Sequence, residues 1–125
     1  MGEKFLIDTN VLIDFQMNVL SPKADEYIDS IINENFTISF VSYIEFLGYK
    51  NVIKPMEDFV SLAEVIEINK IIIDQTILLR KSYRIKLPDA IIAATAIVSD
   101  HTLISRNTKD FEKIHGLKIL NPYNL

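Results

Sequence analysis

From Ala90 to Val98 the chain runs Ala-Ile-Ile-Ala-Ala-Thr-Ala-Ile-Val, without a charge and with a single hydroxyl. A helix of this sequence is apolar almost all round, so it must be covered on every side, and its alanines permit close approach to a sheet. Pro88 suits the first turn of such a helix. The run is well short of the ~20 residues needed to cross a bilayer. The cover therefore has to come from the rest of the chain.

The remaining pattern supplies it. Residues 4–8 form a short apolar run of the kind buried on both faces of a sheet, and helical sequence follows to about Met17. After Ser21-Pro22, residues 23–33 place Ala24, Tyr27, Ile28, Ile31 and Ile32 at helical spacing. Residues 36–41 read as a strand, and Ser42 opens another helix. A helix over 55–63 precedes the alternating strand 64–68. A long helix covers 69–83, a strand 102–104, a short helix 109–114, and a last, edge strand 117–120. Strands alternating with helices predict a single α/β domain over residues 1–125 with a mostly parallel sheet.

Four acids mark the junctions of this pattern: Asp8 after Phe5-Leu6-Ile7, Glu45 after Ser42-Tyr43-Ile44, Asp89 after Leu87-Pro88, and Asp110 after Asn107-Thr108-Lys109. In an alternating strand–helix fold such junctions lie at the carboxyl edge of the sheet, where these folds bind ligands. Each acid alone has an ordinary explanation. Ser42-x-x-Glu45 is a capping box. Asp89 in a first turn complements the helix dipole. Asp8 and Asn107 are suited to cap the helices that follow them. Together they converge on one edge, and carboxylates crowded there require positive charge between them. Hard divalent cations with oxygen ligands meet that need and point to chemistry on phosphate. Asp14, Asp25, Glu26, Asp29 and the other helical acids read as solvated polar faces.

The charge balance agrees. The net charge of −4 comes from 17 acids against 13 Lys and Arg, and setting aside the four junction acids leaves equal numbers. The excess negative charge thus equals the candidate site, and RNA would be held by local basic patches rather than by a global field. Two such patches are Arg80, Lys81, Arg84 and Lys86 before Asp89, and Arg106, Lys109 and Lys113 after the strand at 102–104. A solvated helix face explains most of them; Arg106 is the preferred substrate contact. His101 and His115 flank a strand start and a helix end and are poor catalytic candidates. The absence of cysteine excludes disulfides, thiolate metal sites and a thiol nucleophile. No Gly-x-Ser-x-Gly elbow or glycine-rich phosphate loop occurs. With no leader-like N-terminus and no membrane-length segment, the chain is expected to be cytoplasmic.

Four motifs in order carry a resemblance: Leu6-Ile7-Asp8-Thr9-Asn10-Val11-Leu12-Ile13-Asp14, Val41-Ser42-Tyr43-Ile44-Glu45, Leu87-Pro88-Asp89-Ala90-Ile91-Ile92-Ala93-Ala94, and Leu103-Ile104-Ser105-Arg106-Asn107-Thr108-Lys109-Asp110-Phe111. Over essentially its whole length the chain resembles the PIN-domain nucleases, and more narrowly the VapC-type toxins of prokaryotic toxin–antitoxin pairs. The resemblance implies a three-layer sandwich with a central sheet flanked by helices. It implies a ribonuclease that uses Mg²⁺ or Mn²⁺, acts on tRNA or rRNA, forms a homodimer and is restrained by a cognate antitoxin. Asp8, Glu45 and Asp89 match the family's core metal-binding acids. At the fourth position, Asn107 stands where many members carry Asp, and Asp110 follows three residues later; the two compete for the role. Thr9, Ser105 and Arg106 are expected to contact substrate. Two other functions stay open: a PIN-like module that binds RNA or assembles without turnover, and a metal-dependent phosphatase with Asp8 as nucleophile. The second lacks the further Asp such enzymes carry two residues on, where this chain has Asn10.

Overall fold

The computed structural model describes residues 2–125; Met1, where the N-terminal stretch read for a leader begins, lies outside the described residues. The chain alternates β1 (Phe5–Ile7), α1 (Thr9–Gln16), α2 (Pro22–Glu34), β2 (Thr37–Ser39), α3 (Phe40–Leu47), α4 (Lys54–Val60) and β3 (Glu64–Ile66). It continues with α5 (Lys70–Ser82), α6 (Leu87–Val98), β4 (Thr102–Ile104), α7 (Thr108–Phe111), β5 (Ile119–Leu120) and a 3-10 turn at Pro122–Asn124.

Every strand pairing is parallel. One ladder runs β1–β4–β5, setting Phe5, Leu6 and Ile7 opposite Thr102, Leu103 and Ile104. The other joins β2 to β3. β1 and β2 lie side by side, so the two ladders form neighbouring parts of one layer with β5 at its edge.

Alternation along the strands divides the core between two faces. Leu6 and Leu103 point into a cluster with Ile72 and Leu79 of α5, the buried side of α6, and Phe111 of α7. Ile7 and Ile104, their neighbours in sequence, point the opposite way into Val11, Leu12, Ile28, Phe46, Met56 and Val60. Helices therefore cover both faces, giving three layers. As its composition requires, α6 is the most buried helix, with Ala90, Ile92, Ala93, Ala94, Thr95 and Ala96 all inside. No helix among the described residues is long and apolar enough to cross a membrane.

One boundary differs from the sequence reading in a way that matters. The strand expected over 36–41 stops at Ser39, and Phe40 and Val41 are helical. The Ser39 hydroxyl accepts the Ser42 amide at 3.0 Å, satisfying an unpaired N–H of the first turn. This local cap outweighs the extended preference of Phe40-Val41. Ser42 is consequently not the N-cap, the capping box with Glu45 does not form, and Glu45 lies well inside α3.

Candidate functional site

The site begins where β1 ends. The ladder reaches one step past the strands: the Asp8 amide donates to the Ile104 carbonyl at 2.9 Å, and the Ser105 amide to Leu120 at 3.0 Å. Asp8 and Ser105 are thereby fixed side by side at the carboxyl edge of the sheet. The Ser105 hydroxyl donates to Asp8 Oδ2 at 2.7 Å, and the Thr9 amide donates to Oδ1 at 2.9 Å. Asp8 is only 7% exposed. Burial pushes its carboxyl above the usual range; the Ser105 and Thr9 bonds oppose the shift, and the nearby charges of Asp89 and Glu45 add to it.

Glu45 enters from α3 and is exposed. Its Oε1 accepts the Thr9 hydroxyl at 2.6 Å, and that hydroxyl lies 3.0 Å from Ser42 Oγ. The capping box read from Ser42-x-x-Glu45 is thus replaced by a tertiary link, with Ser42 and Thr9 buried beneath the glutamate.

Asp89 stands in the first turn of α6, directly after Pro88. It is partly buried, and its carboxyl is also raised: by burial first, then by the charges of Asp110 and Glu45, with Lys86 opposing. Asp110 lies in α7. Its Oδ2 accepts the Asn107 side-chain amide at 3.2 Å, while the Asn107 backbone amide donates to Ser105 Oγ at 3.0 Å. At the contested fourth position, then, Asp110 carries the charge that Asp89 feels, and Asn107 braces it. A second carboxylate at 107 would repel Asp110 where the amide now bonds it.

The structure therefore brings Asp8, Glu45, Asp89 and Asp110 into one field of mutual repulsion. Among the described residues, no three His, Cys, Asp or Glu side chains stand close enough to enclose an ion by themselves. The donor set is all oxygen and like-charged, with Asp8 buried and Glu45 exposed. That suits Mg²⁺ or Mn²⁺: Mg²⁺ keeps several of its waters and takes one or two carboxylates directly. Such an ion fits the residues present, with Asp8 and Asp89 as acids that burial and neighbouring like charge both raise.

The other expected site residues are placed differently. Thr9 and Ser105, expected to meet substrate, are buried with their hydroxyls already committed to Glu45 and Asp8. Arg106 is exposed, but its Nη1 pairs with Asp14 Oδ2 at 3.2 Å rather than with the site acids. Asp14 also accepts the Tyr123 hydroxyl. It is thus no solvated helix-face acid, and Tyr123 carried no signal in the sequence, being 109 residues away from it. Among the basic residues, Lys86 is close enough to act on Asp89, and the Lys113 ammonium is turned to the Arg84 carbonyl at 3.0 Å. His101 is buried before β4, at the opposite end of that strand from Ser105, with Nδ1 2.9 Å from the Ser99 carbonyl oxygen.

Comparison with known proteins adds to this geometry. A family profile described as PIN domain matches residues 5–117. The chain is 30% identical to Ribonuclease VapC1 of Rickettsia felis, over 92% of this chain and 93% of that protein. A toxin–antitoxin complex from Klebsiella pneumoniae contains a chain 32% identical to this one, with a TM-score of 0.76 over 96% of this chain and 98% of that one. The VapBC2 structure from Rickettsia felis, bound to a promoter DNA fragment, superposes with a TM-score of 0.77 at 22% identity, over 94% of this chain and 97% of that one, a likeness of fold.

Proposed function

The chain belongs to the PIN-domain family, among its VapC-type ribonucleases, and from that premise we propose that it is a Mg²⁺- or Mn²⁺-dependent endoribonuclease. We propose further that it is the toxin of a type II toxin–antitoxin pair and cleaves a structured RNA, tRNA or rRNA. The observation that carries this reading is the convergence of four acids at the carboxyl edge of the sheet: Asp8 is buried and held by Ser105 and Thr9, and the charges of Glu45, Asp89 and Asp110 act on one another there.

A bound divalent ion supplies an activated water and charge stabilisation on the phosphate. The protein's part is to hold and orient. Asp8, fixed through both carboxylate oxygens, and Asp89, carried by the first turn of α6, are the residues that would hold the ion. Glu45 and Asp110 would add negative charge beside it. Thr9 and Ser105 position the carboxylates rather than touch substrate: Thr9 aims Glu45, and Ser105 joins Asp8 to Asn107. Asn107 in turn holds Asp110. Arg106, next in sequence to Ser105, and Lys86, close enough to act on Asp89, receive backbone phosphates of the RNA.

A cognate antitoxin and a second copy of the chain are the proposed protein partners. The apolar groove between α5 and α6, lined by Ile68, Ile73, Ile77, Leu87 and Ile91, supports a protein contact there. The test is direct. Purified protein should cleave RNA with Mg²⁺ or Mn²⁺ and not in EDTA, and expression should arrest growth. Sequencing of the cut RNA from arrested cells identifies the target. Full activity in excess EDTA would overturn the metal mechanism.

A further inference from the structure

Resting on this ribonuclease reading, we propose that Asp14 and Tyr123 form a clasp that positions Arg106 as the phosphate-receiving residue of the site. Arg106 follows Ser105, the residue bonded to Asp8, so its backbone is fixed at the edge of the acidic cluster. A guanidinium there is drawn toward those carboxylates, where it would occupy the space a cation needs. Instead Nη1 lies 3.2 Å from Asp14 Oδ2 on α1. The Tyr123 hydroxyl donates to the same oxygen.

Tyr123 is itself well anchored. Its amide donates to the Asn121 side chain at 2.9 Å, Pro122 beside it is buried, and the 3-10 turn packs on α2. The Arg106 side chain is 51% exposed while that of Asp14 is 19% exposed. The acid is thus mostly covered and the base presented. A guanidinium has five N–H donors in a rigid fork; the contact to Asp14 engages one nitrogen and Tyr123 also lies against the group, yet half of the side chain stays exposed, which leaves donors for recognition of phosphate. Asp14 is a positioning residue in this scheme, and Tyr123 acts through it.

A surface ion pair with no role predicts something different, which makes the clasp testable. Removing one negative charge by Asp14→Asn would by itself tighten RNA binding, since binding is dominated by phosphate charge. The clasp predicts weaker binding. Affinity for a fluorescein-labelled single-stranded oligoribonucleotide is read by anisotropy at low salt in EDTA, where no turnover is required. Asp14→Asn and Tyr123→Phe should each weaken binding on the order of twofold to fivefold, the range of a partly exposed charge pair. Arg106→Ala should weaken it more. Asp14→Asn added to Arg106→Ala should cause no further loss, and circular dichroism should show each variant folded.

Tighter or unchanged binding by Asp14→Asn, an equal loss in the Arg106→Ala background, or no measurable binding by the wild type overturns the clasp. Failure of the ribonuclease reading looks different: the wild type would not cleave RNA with Mg²⁺ while the binding pattern held.

Discussion

The two ends of strand β4 hold the same pair of chemical groups in opposite circumstances. At its start the Thr102 hydroxyl donates to Glu3; just past its end the Ser105 hydroxyl donates to Asp8 at 2.7 Å. Glu3 is exposed, and the nearby Asp100 is paired with Lys118 at 3.1 Å in solvent. Asp8 is buried, with Asp89 and Glu45 adding like charge. A hydroxyl–carboxylate bond at a strand end is therefore no mark of function in itself. What separates the two ends is burial combined with uncompensated repulsion, a cost that the fold tolerates at one end only.

The widest test of that difference is activity. Asp8→Asn and Asp89→Asn should each lower RNA cleavage on the order of a thousandfold, because metal-derived charge stabilisation is worth several kcal/mol. Glu3→Gln should cleave as the wild type does. A gel assay on one RNA substrate compares all three. Comparable loss in Glu3→Gln would erase the distinction between the two ends.

Ion binding should separate the ends next. At about a hundredfold above its dissociation constant, a ligand specific for the folded state adds about 2.7 kcal/mol to stability. Titrating Mn²⁺ or Mg²⁺ into metal-free protein should raise the melting temperature, and calorimetry should show no such rise for Asp8→Asn. Glu3→Gln should respond as the wild type does. A wild type that melts at the same temperature at every ion concentration would contradict an acidic edge built for a cation.

The pH dependence has a definite sign. Asp8 and Asp89 have raised carboxyls in the folded protein, so the native state binds their protons more tightly than the unfolded chain. Their contribution is fully present below the ordinary aspartate value of about 3.9 and is lost as pH rises through the raised native values. Metal-free protein should thus become less stable across that interval in urea titrations with EDTA. Asp8→Asn should flatten the trend and raise the neutral-pH melting temperature by about a few degrees. A variant can in this way be more stable and inactive at once.

How much of this the sequence discloses depends on the range of the interaction. The alternation of strands with helices and the buried α6 follow from periodicity, the three layers from the family resemblance, and the junction acids from where apolar runs stop. Links between distant residues are another matter. Thr9 and Glu45, or Arg106 and Asp14, meet only after the sheet is assembled, at separations of 36 and 92 residues. No local pattern encodes them, so the bonds of the Thr9 and Ser105 hydroxyls to Glu45 and Asp8 are visible only in the fold. The error at Ser42 is of a third kind. Two serines three residues apart both suit a helix start, and only the hydrogen bond from the Ser42 amide to Ser39 decides between them.

The smallest effect is also the most matched comparison: removal of one hydroxyl from each end of β4. Ser105→Ala takes a donor from a buried, charged carboxylate that water cannot easily reach. It also leaves the Asn107 amide without its acceptor. The expected loss is about 1–2 kcal/mol in urea denaturation of the metal-free protein, since bonds to charged groups exceed neutral ones. Thr102→Val removes the same kind of donor from Glu3, but that carboxylate lies in solvent and exchanges the bond for water. The Thr102 side chain is itself buried, so an apolar group of the same shape fits the space without an unpaired polar atom. Stability and cleavage should both stay near those of the wild type. If the two substitutions proved equally costly, the hydroxyl bond itself would carry the energy, and burial at the carboxyl edge would not be what distinguishes the site.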